Sequence, residues 1–149
     1  MDLNNIEVLL VEDNMDDAEL TTRELTKNRL ANNLFHVSDG KMALDFIFGR
    51  GAFDNIRMPG MPLKLILLDI QMPKINGIEV LRVIKSDEYA KTTPVVMLTS
   101  SREDPDIKQC YEAGANSYIV KPVSFVGFTE AIKSVGLYWL LINQPPVKM

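Results

Sequence analysis

The run Leu65–Leu68, followed by Asp69, constrains the fold of this chain more than any other stretch. Four consecutive apolar residues without polar alternation are typical of a strand covered on both faces of a parallel sheet. Asp69 ends the run, and ligands bind at the carboxyl ends of strands in open α/β sheets. Asp69 could instead cap the next helix, but Asn76 is better placed for that role. The stretch therefore predicts a buried strand that delivers a functional carboxylate to one edge of a sheet.

Strands and helices are predicted to alternate along the whole chain. Apolar runs predict strands at 6–11, 34–37, 65–68, 94–98 and 117–120, and helical spacing predicts helices at 14–29, 41–48, 76–85, 104–113 and 124–141. Residues 49–63 contain three glycines and two prolines and are interpreted as a long loop. The alternation predicts one α/β domain, a doubly wound parallel sheet of five strands in the order 2-1-3-4-5 with five helices on its two faces.

Composition restricts the partners that the chain is expected to have. The net charge is −4 and no basic stripe is present, so we expect no nucleic-acid partner. The single cysteine, Cys110, excludes an intramolecular disulfide. The first residues lack the basic and apolar segments of a signal peptide, and no apolar run is expected to approach the ~18 residues that span a bilayer. We therefore expect a cytoplasmic protein without a membrane partner.

The predicted strands end in a chemically related set of residues. The set consists of Glu12, Asp13, Asp69, Thr99 and Lys121. The first and third strands are neighbours in a 2-1-3-4-5 sheet, so their three carboxylates should lie together. Charges ~4 Å apart repel by ~4 kcal/mol at an effective dielectric constant of ~20, so the cluster requires a cation, a proton or a positive neighbour. Oxygen ligands of this kind suit Mg²⁺, and the whole set indicates phosphoryl transfer with Asp69 as the nucleophile.

Several segments of the chain resemble the receiver domains of two-component response regulators. They are residues 11–14, 68–77, 98–100, 113–115 and 118–122, which span the predicted sheet from its first strand to its last. The resemblance implies a flavodoxin-like receiver fold and a phosphoprotein that carries an aspartyl phosphate. It further implies that the protein assists its own phosphorylation and dephosphorylation and is not an enzyme acting on a separate substrate.

The resemblance also implies a role for each matching residue. Asp69 is implied as the phosphoacceptor. Mg²⁺, for which Mn²⁺ can substitute, is implied to bind Glu12, Asp13, Asp69 and the backbone carbonyl of Gln71. The phosphoryl group is implied to contact Thr99, Ser100 and Lys121. Thr99 and Tyr118 are implied to form a switch in which Tyr118 rotates into the space that Thr99 vacates, and the Lys121–Pro122 peptide is implied to be cis.

The chain continues after the receiver pattern, which is complete at about residue 135. The last predicted helix has a core stripe of Phe125, Phe128, Ile132, Val135, Trp139 and Ile142. Leu137, Tyr138 and Leu141 lie off this stripe, so the end of the helix is apolar nearly all round and requires a second surface. We expect a homodimer to provide that surface, and the alternative is packing against the 49–63 loop.

This layout predicts one receiver domain over residues 1–149, with a core at about 5–135, an extended helix and tail at 136–149, and no output domain. The layout and the Trp139-containing tail resemble the single-domain regulators paired with cyanobacterial phytochrome histidine kinases. A sensor histidine kinase, specifically a phytochrome, is thereby implied as the partner. Signalling is expected through changed protein–protein contacts, with the protein acting either as a messenger or as a phosphate shuttle.

Two other functions are weaker on this sequence. An aspartate-based phosphatase would need a further acid/base carboxylate near Asp69, where Gln71 stands. A flavin-binding protein would need a phosphate-binding loop after the first strand. Glu12 and Asp13 would repel a phosphate there.

Overall fold

The computed structural model describes residues 2–30, 33–99, 104–121 and 124–145. Its strands and helices alternate in the order β1 (Val8–Val11), α1 (Met15–Lys27), β2 (Leu34–Val37), α2 (Gly40–Phe48), β3 (Leu65–Leu68), α3 (Gly77–Ser86), β4 (Val95–Thr99), α4 (Asp104–Glu112), β5 (Ser117–Val120) and α5 (Phe125–Gly136). Short 3-10 turns lie at Leu3–Asn5, Gly51–Phe53 and Ala90–Thr92, and α5 continues into a π-helical segment, Leu137–Ile142. The parallel sheet has the order β2-β1-β3-β4-β5. The predicted fold class and strand order are confirmed.

Apolar side chains cover both faces of the sheet. Every residue of β1, β3 and β4 is buried, and successive side chains point to opposite faces. Leu9 and Ile66 belong to a core cluster with residues of α2, α3 and α4, whereas Val8 and Leu65 belong to a second cluster with residues of α1 and α5. The continuous apolar strands therefore require helices on both sides.

The register of the sheet aligns the carboxyl ends of its strands. Val11 of β1 pairs with Leu68 of β3, so Glu12 and Asp69 leave the sheet side by side. Backbone pairing continues past the strand ends, because the Asp69 N–H donates to the Val11 carbonyl over 3.1 Å and the Lys121 N–H donates to the Thr99 carbonyl over 2.7 Å. The predicted strand-end residues are thus held by the backbone of the sheet itself.

The turn after β3 packs directly against Asp69. Asn76 caps α3 as predicted, since its side chain accepts a hydrogen bond from the Glu79 N–H over 3.0 Å. A Cβ atom at Gly77 would lie 2.0 Å from the Asp69 carbonyl oxygen, so a glycine is required for this close approach. Asp69 is therefore not the cap of α3.

The 49–63 loop is anchored by a buried arginine. The Arg57 residue is 2% exposed, and its guanidinium donates to the carbonyls of Leu3, Phe46 and Met61 over 2.7, 3.0 and 2.9 Å. The guanidinium carbon also lies 4.2 Å from the centroid of the Phe46 ring. Burial lowers the pKa of Arg57 to about 10, so the group remains charged at neutral pH. One side chain thus ties together the N-terminal turn, α2 and the loop.

This loop and the C-terminal helix lie on opposite sides of the sheet. Phe53 and Leu63 of the loop belong to the core cluster on the side of α2 and α3. Trp139 and Leu140 pack against the cluster on the side of α1 and α5. Packing of the helix end against the 49–63 loop, considered above as the alternative to a dimer, is therefore wrong.

The core stripe of the last helix is shorter than predicted. Phe128, Ile132 and Val135 are buried, but Phe125 and Ile142 are exposed. Phe125 is the first residue of α5, next to the cap, and has no preceding turn to pack against. Ile142 falls off the stripe because the π-helical winding after Gly136 changes the angular phase of the residues that follow.

The described part of the chain contains one segment that is long and apolar enough to cross a membrane. It is Phe125–Ile142, with a mean hydropathy of 1.4 over 18 residues. The expectation that no apolar run approaches this length is therefore corrected. Phe128 and Ile132 pack in the core beneath α5, and Gly136 lies against α1 at Leu25. One face of the segment thus packs in the core of the α/β fold, while its remaining apolar side chains are exposed.

Replacing Arg57 with methionine should release the loop, because methionine retains much of the aliphatic volume but has no donors for the three carbonyls. We expect the free energy of unfolding to fall by about 2 kcal/mol. Limited proteolysis should cut residues 49–63 faster, and urea denaturation measures the loss of stability. Arg50→Met is the matched control, since Arg50 lies in the same loop with its side chain 59% exposed. Equal protease sensitivity of the two variants would contradict the anchoring role.

Candidate functional site

Three carboxylates meet at the carboxyl ends of β1 and β3. Glu12, Asp13 and Asp69 each present an oxygen atom, and these atoms all lie within 4.8 Å of one another. Glu12 and Asp69 are 1% and 7% exposed, whereas Asp13 faces solvent. A set of carboxylate oxygens with one open side fits a divalent cation such as Mg²⁺, which keeps several of its waters. Within the described ranges, this is the one group of three metal-binding side chains that lie so close.

Lys121 brings a positive charge to the carboxylates from the end of β5. Its Nζ lies 2.5 Å from Glu12 Oε1, 2.9 Å from Asp17 Oδ2 and 3.7 Å from Asp69 Oδ2. Burial lowers the pKa of Lys121, but the hydrogen bonds to Glu12 and Asp17 outweigh burial and raise it. The lysine is therefore a permanent cation at the centre of the acidic cluster.

Asp17 is a member of this site that the sequence reasoning missed. It lies in the first turn of α1, where acidic residues are ordinarily explained by the helix dipole. The spacing from Asp13 is the signal that was available, because side chains on a helix lean towards its N-terminus. A residue one turn into α1 is therefore directed back towards the end of β1.

Burial and a neighbouring carboxylate raise the pKa of Glu12. Burial raises the pKa of Glu12 to about 8, and the neighbouring Asp69 adds to the increase while Lys121 opposes it. Glu12 is consequently harder to ionise in this cluster than a glutamate in water. This response fits a site built for a cation, because a bound cation would favour the ionised carboxylate instead.

Asp69 is held by the turn that follows it. Its Oδ1 accepts a hydrogen bond from the Gln71 N–H over 3.3 Å. This contact orients the carboxylate and places Gln71 beside the acidic cluster. The role of the Gln71 carbonyl as a metal ligand stays a prediction.

Thr99 and Tyr118 lie on neighbouring strands. Thr99 ends β4, is fully buried and pairs with Val120, whereas Tyr118 is half-buried in β5 and packs against the core cluster on the side of α3. The two residues proposed from the resemblance as a switch thus share the β4–β5 pair. Ser100 and Pro122 lie outside the described residues, and so does the Lys121–Pro122 peptide.

Stability should depend on pH through Glu12. Because folding raises its pKa from 4.5 to about 8, the folded protein binds a proton in this range that the unfolded chain lacks. The resulting stabilisation is complete below pH 4.5 and is lost as the pH rises through about 8. The Glu12→Gln variant, which cannot ionise, should lose less stability between about pH 5 and pH 8.

Urea denaturation in the presence of a metal chelator measures this dependence. Glu19→Gln is the control, because Glu19 is an exposed glutamate of α1 that pairs with Arg23. The free energy of unfolding should change with pH in the same way in the wild type and in Glu19→Gln, and it should change differently in Glu12→Gln. Identical pH dependence in all three proteins would mean that Glu12 titrates normally.

Comparison with known proteins finds relatives that match nearly the whole chain. A family model described as the response regulator receiver domain matches residues 8–133. The probable methanogenesis regulatory protein FilR2 of Methanothrix harundinacea is 36% identical over 140 residues, which cover 93% of this chain and 86% of FilR2. Response regulator Rcp1 of Synechocystis is 33% identical over 133 residues, which cover 89% of this chain and 88% of Rcp1.

Two solved structures match the architecture closely. The Mn²⁺-bound form of Rcp1 has a TM-score of 0.86 at 32% identity, covering 95% of this chain and 99% of that one. The phosphorylated cyanobacterial phytochrome response regulator RcpA has a TM-score of 0.86 at 33% identity, with the same coverage of 95% and 99%.

Proposed function

The chain belongs to the response regulator receiver domain family of two-component systems, and we propose that it accepts a phosphoryl group on Asp69. The observation that carries this proposal is the position of the Asp69 carboxylate. It directly follows the buried strand β3, has carboxylate oxygens of Glu12 and Asp13 within 4.8 Å, and lies with its Oδ2 3.7 Å from the Lys121 ammonium. A nucleophilic carboxylate, a cation site and a positive side chain for the phosphoryl oxygens are what phosphoryl transfer requires.

Each residue of the site has a role in this reaction. An oxygen of Asp69 forms a bond to phosphorus while the bond from phosphorus to the donor breaks, and the donor leaves with the bonding electrons. Lys121 donates to a phosphoryl oxygen, and Thr99 and Ser100 donate to others. These groups stabilise the charge on the transferring group, and the chain thereby assists its own phosphorylation and dephosphorylation.

The proposed cofactor is Mg²⁺, held by Glu12, Asp13, Asp69 and the Gln71 carbonyl. Bound there, it supplies positive charge that offsets the carboxylates and the phosphoryl oxygens. The closely similar Rcp1 was solved in a Mn²⁺-bound form, which supports Mn²⁺ as a substitute. The close approach of the Glu12, Asp13 and Asp69 carboxylate oxygens, all within 4.8 Å of one another, supports a cation site independently of any relative.

The proposed phosphoryl donor is a sensor histidine kinase, specifically a phytochrome. RcpA, which is a phytochrome response regulator, covers 95% of this chain in structure, and this supports the pairing. The output is a change in protein–protein contacts in the cytoplasm, carried by Thr99 and Tyr118 as the switch, with no nucleic-acid or membrane partner. In this proposal residues 1–149 form a single receiver domain.

A symmetric homodimer is proposed to cover the end of the C-terminal helix. Leu137, Tyr138 and Leu141 are 38%, 48% and 65% exposed on the π-helical segment. They form an apolar surface at one end of the fold, next to the exposed Ile142. Such a surface favours contact with a second copy, because isologous pairs are the commonest assembly.

Incubation with acetyl phosphate and Mg²⁺ should add one phosphoryl group to the wild-type protein. Asp69→Asn should gain none, because the amide is not a nucleophile, and removal of Mg²⁺ by a chelator should slow the reaction at least about tenfold. Intact mass spectrometry measures both results. Asp54→Asn, which changes an aspartate of the remote 49–63 loop, is the control and should react as the wild type does. Phosphorylation of Asp69→Asn to the wild-type extent would refute the assignment of the acceptor.

Leu141→Glu should shift the protein towards monomer, because a buried charge in an apolar interface is costly. We expect the dissociation constant of the dimer to rise at least about tenfold, measured by sedimentation equilibrium. Tyr89→Glu is the control, since Tyr89 is 76% exposed on a different part of the surface. If the wild type sediments as a monomer, or if both variants weaken the dimer equally, the proposed surface is wrong.

A further inference from the structure

We propose that Asp17 competes with the phosphoryl group for Lys121, and so weakens the binding of a phosphoryl group at the site. This inference rests on the proposed function, in which Lys121 contacts the phosphoryl group on Asp69. Asp17 is thus a positioning residue that acts through the lysine, without itself touching the reacting atoms.

The position of Lys121 carries the proposal. Its Nζ lies 2.9 Å from the Asp17 carboxylate but 3.7 Å from that of Asp69. An ammonium group has three N–H donors, and Glu12 and Asp17 take two of them at hydrogen-bond distance. The lysine is therefore drawn away from the acceptor and towards α1.

The contact between Lys121 and Asp17 is partly shielded from water. Their side chains are 10% and 28% exposed, respectively. An ion pair in such a position is less weakened by salt than a pair on the open surface. Breaking this contact consequently costs free energy whenever Lys121 moves to another anion.

The requirements of α1 do not explain the Asp17 side chain. Asn14 is the cap of the helix, and the hydrogen bonds that Asp17 makes within α1 use its backbone N–H and carbonyl. Asp16, also in the first turn, supplies the same interaction with the helix dipole. The Asp17 carboxylate is instead directed to a lysine 104 residues away in the sequence.

Phosphorylation adds anionic oxygens on the Asp69 side of the lysine. Lys121 can follow these oxygens only by giving up some of its contact with Asp17. The negative charge of Asp17 also opposes the arrival of another anion nearby. Both effects have the same sign, so removing the carboxylate should strengthen binding of a phosphoryl group or of an analogue.

Calorimetric titration with beryllofluoride, an analogue of the phosphoryl group, tests this in the presence of Mg²⁺. Asp17→Asn should bind about fivefold more tightly than the wild type, the equivalent of one ion pair of about 1 kcal/mol. Asp17→Ala should show the same direction. Asp16→Asn is the matched control, since it removes the same charge from the same helical turn. Asp16 is exposed, and its variant should change affinity less than about twofold.

A double-mutant cycle separates competition for Lys121 from a general effect on α1. In a Lys121→Met background, Asp17→Asn should no longer strengthen binding beyond Asp16→Asn. Equal affinities of Asp17→Asn and Asp16→Asn, or a gain in affinity that persists without the lysine, would overturn the proposed role of Asp17 but leave the phosphoacceptor function standing. Failure of the wild type to bind beryllofluoride would instead overturn the phosphoacceptor function, and this inference with it.

Discussion

The parallel pairing of β1 with β3 is the constraint on which the rest of the site depends. Val11 lies beside Leu68 in this pairing, so the two residues that follow, Glu12 and Asp69, end at the same level. A slip of one residue would turn every apolar side chain of a strand to the opposite face. Since both faces are packed with helices, the register is held by the fit of particular side chains, such as Leu9 and Ile66 on one face and Val8 and Leu65 on the other, against each helix layer. The acidic cluster is therefore a consequence of the hydrophobic core beneath it.

The site contains more negatively charged than positively charged side chains. Three carboxylates lie close together at this site, and two of them are almost fully buried. One lysine supplies the positive charge beside them. Removing charges from water is costly, and a buried pair of this kind is weak evidence for stability. The raised pKa of Glu12 is the direct effect of that cost. An arrangement that gains so little for the fold is consistent with the cation and phosphoryl binding proposed above.

Long-range packing decided the features that the sequence pattern predicted least well. No sequence pattern singles out Arg57, yet it is the anchor of residues 49–63 because three carbonyls converge on it. The core stripe of the last helix ends early because the winding changes after Gly136. Neither the convergence of distant carbonyls nor a local change of helical pitch has a periodic signature in the sequence.

The sequence by itself determined the alternation of strands and helices, the order of the sheet and the residue types at the strand ends. These follow from local hydrophobic patterns and from the rule that connects parallel strands, so Asp13, Asp69 and Lys121 could be placed at one edge without coordinates. Only the tertiary structure decided that Lys121 is shared between Glu12 and Asp17. That contact depends on where the first turn of α1 lies relative to the end of β5, and on the direction of a long side chain between them. Such a geometry arises only when distant elements pack together, which no local pattern records.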